Sequence, residues 1–187
     1  MMEYINKLNS NNKISGDFIT LICYYILIFF VGAVVGFIYE EIFYLVVDGV
    51  LVKSGFLYGF YLPVYGIGAV LMVLFLKDLK KNPLVIFTLA MVVTGVLEYI
   101  TGTILWELYH RTWWDYDGLF LNIDGYVCLR SVVSFAIGGI FLIYIMEPLI
   151  VKFVNNLRKK RLVIYSGLII SIFVIDLIFT LMFRNVL

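Results

Sequence analysis

The chain has 187 residues, 63% hydrophobic and 14% charged, with a net charge of +1 and a mean hydropathy of +1.02. A soluble globular domain is excluded, because such domains carry about 25% charged residues. Nucleic-acid binding has no support in the sequence, and the composition is that of an integral membrane protein in contact with the lipid bilayer.

A polar segment at 1–17 precedes a single transmembrane domain at 18–187. The first apolar run is too long for the core of a cleaved signal peptide and is expected to remain as a span. Five apolar segments predict an all-α, polytopic bundle of about five transmembrane helices at 18–47, 60–76, 84–109, 127–151 and 162–182. Breakers separate them at Asp48 and Gly49, at 77–83 (KDLKKNP) and at 152–161 (KFVNNLRKKR). The second segment carries Gly55, Gly59, Pro63, Gly66 and Gly68, so it reads as a broken or re-entrant span as well as a full one.

Lysine and arginine in short loops mark the cytoplasmic face. With the N-terminus inside, Lys7, Lys13, Lys77, Lys80, Lys81, Lys152, Arg158, Lys159, Lys160 and Arg161 fall on that side, and only Lys53, Arg111, Arg130 and Arg184 fall outside. The expected topology is therefore a cytoplasmic N-terminus and an external C-terminus in the cell membrane. The 158–161 cluster is an orientation signal on this reading.

Several faces combine small residues with a charge. Gly32, Gly36 and Glu40 recur every fourth position, which lets a neighbouring backbone approach beneath a carboxylate. Gly138 stands in a similar row with Ser134 and Arg130, while Gly59 and Pro63 lie beside a stripe formed by Tyr58, Tyr61 and Tyr65. A charge near the bilayer centre costs roughly 2.5–3.5 kcal/mol, so Glu40, Glu98, Arg130 and Asp176 are expected to face one another or water. Two readings follow: an externally open polar cavity binding a solute or cation, with Tyr58, Tyr65 and Asn122 as further binding residues beside these four, or charged pairs that fix helix packing.

The stretch at 97–130 is the most unusual. It holds Trp106, Trp113, Trp114 and His110, as well as Glu98, Glu107, Asp115, Asp117, Asp124 and Arg130. The aromatic residues suit a membrane interface, and the 113–117 loop, with Trp113, Trp114, Asp115 and Tyr116, is expected to cap the cavity as an external lid. His110 reads as an interfacial residue. No phosphate-binding loop is present, so ATP hydrolysis is not assigned to this chain. Neither a catalytic residue, a metal site nor a cofactor is assigned, although the excess of acids admits a cation of unspecified identity.

Five ordered stretches carry a family resemblance: GFIYEE at 36–41, SGFLYGFYLPVYGIGA at 54–69, LEYITG at 97–102, WWDY at 113–116, and N-x-x-G-x-V-C-L at 122–129. Over about 32–148 the chain resembles the bacterial CmpB-like family, catalogued as ABC-transporter permeases. The resemblance implies importance for Glu40, Gly55, Tyr58, Gly59, Pro63, Tyr65, Gly66, Glu98, Trp114, Asp115, Tyr116, Asn122, Gly125 and Cys128. It departs from the family at Tyr126, where members often have a basic residue that Arg130 is positioned to replace. The function it implies is a transport component with an outward-facing site, working as a homo-oligomer or with membrane and ATPase subunits. The alternative is an intramembrane or interfacial enzyme or sensor acting on an envelope lipid or precursor.

Overall fold

The computed structural model describes residues 14, 16–47, 49–51 and 53–183. The expectations placed on Lys7, Lys13, Asp48, Arg184 and the C-terminus lie outside these residues. Residues up to Val70 together with those from Glu147 onward form one compact unit, and Leu71–Met146 form a second.

In the first unit, α1 (Phe18–Val47) begins at Asp17, whose carboxylate accepts from the Thr20 amide at 3.2 Å and its hydroxyl at 2.9 Å. This side-chain cap satisfies an amide that has no partner in the first helical turn. Asp17 also pairs with Lys159 at the start of α6 (Lys159–Phe183), and that hydrogen bond lowers its pKa to about 2. The two helices run side by side in the same direction. Phe29 meets Phe173 with ring centroids 5.5 Å apart, and Phe30, Val34, Phe173 and Leu177 pack around buried Ala33, Leu57 and Tyr61.

Between them the chain returns alongside α1 in two parts. The Ser54 amide donates to Glu41 Oε1 at 2.8 Å and the Leu62 amide to the Ala33 carbonyl at 3.0 Å, so non-helical backbone runs back along α1 from its end to its middle. There Pro63 starts α2 (Pro63–Leu76), a position that suits proline because the first helical amides lack partners anyway. α2 continues antiparallel to α1. A Cβ at Gly36 would lie 2.2 Å from Tyr65 Cγ, and one at Gly32 would lie 2.4 Å from Ala69 Cβ.

Four helical spans are long and apolar enough to cross a membrane: Phe18–Val47, Pro83–Tyr109, Leu129–Asn156 and Lys159–Phe183. α2, at 14 residues, is about 21 Å long and shorter than a hydrocarbon core of about 30 Å. Yet α1 and α6 are parallel, which requires an odd number of crossings between them. With α3 and the α4–α5 helix as two of them, the 54–62 backbone with α2 is the segment left to supply the third.

In the second unit, α3 (Pro83–Tyr109) is capped by Asn82, whose side chain accepts from the Leu84 amide at 3.1 Å. It packs antiparallel to α4 (Leu129–Phe141). Along the pair, Gly102 faces Tyr126, Gly95 faces Val132 and Ala90 faces Gly139. A π-helical turn at Leu142–Met146 leads into α5 (Glu147–Asn156). Pro148 explains the turn, because its ring excludes the carbonyl four residues earlier and its nitrogen has no hydrogen to donate.

The helix ends lie within a few residues of the sequence expectation, with one correction. The basic stretch 152–161 is not a loop, since α5 reaches Asn156 and α6 begins at Lys159. Backbone bonds from Leu157 to Phe153 and from Leu162 to Arg158 close the connection tightly around residues 157 and 158.

Candidate functional site

Glu98 lies on α3 and is 6% exposed. Its two carboxylate oxygens meet separate hydroxyl groups. Ser131 Oγ donates to Oε2 at 2.8 Å, and the Tyr116 hydroxyl donates to Oε1 at 3.1 Å. Ser131 sits in the first turn of α4, where its oxygen accepts from the Cys128 amide at 3.2 Å while Cys128 Sγ accepts from the Ser131 amide at 3.4 Å. Ser131 Oγ is also 2.9 Å from the Cys128 carbonyl oxygen, so Glu98 and the helix start share its one hydroxyl proton.

Tyr116 comes from a loop at 110–128 that is wound by its own backbone. The Tyr116 amide donates to the Gly125 carbonyl at 2.9 Å, and Ile123 and Val127 form an antiparallel bridge. Asn122 accepts from the Gly125 amide at 3.4 Å and donates to the Leu119 carbonyl at 3.1 Å, so its side chain is engaged within the loop. Trp114 donates to the Tyr126 carbonyl at 2.9 Å, and Asp115 accepts from the Asp117 amide at 2.8 Å. Gly125 has φ +69°, and a Cβ there would stand 3.1 Å from Asp115 Oδ1; a larger residue is disfavoured on both counts. Trp113 is partly exposed beside Tyr109, and Arg130 is exposed one position before Ser131. Tyr126, at the position where the resemblance departs, packs its ring on Gly102 of the LEYITG stretch.

The other two acids expected at the cavity belong to the first unit and have their own partners. Glu40 accepts from the Tyr65 hydroxyl at 2.9 Å. Asp176 accepts from the Tyr58 amide at 3.1 Å, the Gly59 amide at 2.9 Å and the Tyr61 hydroxyl. Among the described residues, no group of three or more His, Cys, Asp or Glu side chains converges as a metal site. Of the glycines expected at packing positions, Gly32, Gly36 and Gly59 are in close contact, whereas a Cβ at Gly138 would meet nothing within 4 Å. His110 closes α3 with φ 51°, its amide donating to the Trp106 carbonyl at 2.8 Å.

Two acids escaped the sequence reading. Glu41 holds the Ser54 amide, and Glu147, 3% exposed, accepts from the Tyr24 hydroxyl at 3.1 Å. Glu147 stood beside Pro148 near a span end, and only the long-range packing of α1 on α5 reveals its partner.

The family described as "Putative ABC-transporter type IV" (ABC_trans_CmpB) matches residues 27–181, and the chain belongs to it. No curated protein and no solved structure matches.

Proposed function

We propose that this multi-pass membrane protein is the membrane component of a transporter in which Glu98, beneath the 113–117 loop, contacts a polar solute or cation. The observation that carries this reading is a carboxylate buried within a span and met only by neutral hydroxyls in its described hydrogen bonds, one of them from the loop. An ionisable group at such a position is costly to insert and points to a function. Neutral donors leave the carboxylate's charge available to a proton or cation, and Tyr116 couples it to the loop. Arg130 and Asn122 flank the same region, with Asn122 setting the shape of the loop.

The lysine and arginine bias supports a cytoplasmic face where α1 begins. By connectivity that face also carries 77–82 and 157–158, while 49–53 and 110–128 lie on the external face. The short connections offer an ATPase little surface, which favours docking through a partner membrane subunit.

The test is purification of the tagged chain from native membranes in mild detergent. An ATPase is expected to co-purify, and Glu98→Gln is expected to retain it while lowering ATP turnover. Unchanged turnover in an abundant, folded Glu98→Gln protein would remove Glu98 from the mechanism. Lipid conversion by the isolated chain would instead indicate an enzyme.

A further inference from the structure

The second crossing poses a physical problem that α6 solves. Backbone at 54–62 is non-helical, and amides at membrane depth need partners supplied from elsewhere because lipid supplies none. Asp176 reaches this segment across more than a hundred residues of sequence. Its Oδ1 accepts from the Tyr58 amide at 3.1 Å and the Thr180 hydroxyl at 3.4 Å. Its Oδ2 accepts from the Gly59 amide at 2.9 Å and from the Tyr61 hydroxyl. Four donors therefore converge on two oxygens, matching the acceptor capacity of a carboxylate. A Cβ at Gly59 would stand 2.9 Å from Asp176 Oδ2 and 2.2 Å from Tyr61 Cε1, so this close approach requires glycine.

We propose that Asp176 is a positioning residue that clamps the non-helical half of the second crossing to α6, and is not a solute ligand. The inference goes beyond the transport reading and does not depend on it. Asparagine does not reproduce the clamp, because whichever oxygen becomes the amide nitrogen then faces a backbone amide, of Tyr58 or of Gly59, that can only donate. Release of the clamp frees 57–61 from α6 and exposes Leu57, which is 1% exposed when the segment is held.

The experiment places a cysteine at Leu57 in the full chain, reconstituted in nanodiscs, and follows its reaction with a polar maleimide. A cysteine at Asp117 serves as the reference. The Leu57 cysteine is expected to be protected in the otherwise unchanged protein and to react at least about tenfold faster in both Asp176→Ala and Asp176→Asn. Sodium formate is expected to restore protection in Asp176→Ala and sodium chloride is not, a response that general loosening of the fold would not give. If Asp176→Ala does not fold, Gly59→Ala supplies the same readout with the carboxylate retained but pushed away. Continued protection in the folded variants overturns the clamp. Protection in Asp176→Asn together with exposure in Asp176→Ala also overturns it, since side-chain volume would then matter and charge would not.

Discussion

Replacing Gly36 by alanine sets two effects of opposite sign against each other. In a helix interior the substitution gains roughly 0.8–1 kcal/mol of propensity. At Gly36, however, the added carbon would lie 2.2 Å from Tyr65 Cγ and 2.4 Å from its Cβ. These atoms are close to the Tyr65 backbone, so the relief must come from a shift of α2 itself. Overpacking of this kind costs about 1–3 kcal/mol. Displacing Tyr65 also weakens its 2.9 Å bond to Glu40, at a further cost of about 0.6–2 kcal/mol within a bilayer. The expected net loss is about 0.6–4 kcal/mol, set against a gain of up to about 1 kcal/mol for Gly138→Ala, where nothing lies within 4 Å. Reversible unfolding by sodium dodecyl sulfate in mixed micelles measures both. A double-mutant cycle adds a second reading: Tyr65→Phe should cost less in the Gly36→Ala background, where the hydroxyl has already been displaced. Equal stabilities for the two glycine variants, or strict additivity with Tyr65→Phe, would refute this account of the α1–α2 contact.

Ser131→Ala should destabilise the protein by about 1–3 kcal/mol, more than the roughly 1 kcal/mol expected for Tyr116→Phe, because Ser131 serves both Glu98 and the Cys128 amide. The same unfolding assay ranks them. Asp17 is held at about pKa 2 by Lys159, below its unfolded value of about 3.9. Its contribution to stability is therefore complete above about pH 4 and is lost as pH falls through about 2; Lys159→Met should flatten that acid limb in unfolding titrations. For topology, single cysteines at Lys81 and Arg158 should label from one membrane face and those at Leu51 and Asp117 from the other. Labelling of Lys81→Cys from the same side as Leu51→Cys would show that 54–76 does not cross.

The spans were legible because apolar length and charged breakers are local signals, and α1 could be read directly from its uninterrupted run. The break in the second crossing was legible as glycine and proline content, but its path was not. What holds it in place is Asp176, which is 117 residues from Gly59. The basic 152–161 stretch misled for a different reason: lysine and arginine are adequate helix formers, so charge marks the membrane face without ending the helix there. At the candidate site the acids stood out, but spacing suggested charged partners. It could not show that Ser131, buried in the first turn of α4, turns its hydroxyl toward Glu98.

The tyrosines explain how so many acids are accommodated. The chain has 14, and the hydroxyls of Tyr24, Tyr61, Tyr65, Tyr99 and Tyr116 donate to Glu147, Asp176, Glu40, Asp124 and Glu98 respectively. A guanidinium partner would add a second charge to be carried into the bilayer, whereas a phenol places an apolar ring in the hydrocarbon and brings its hydroxyl to the carboxylate. Four of these acids lie on the spans and the fifth lies in the loop above α3. The pairing also bears on function. A carboxylate held by a phenol can take up or release a proton or cation without parting from a fixed counter-charge, so its partner can follow the change by rotating one hydroxyl. In the transport reading proposed above, that partner at Glu98 is Tyr116, through which such a change would reach the loop.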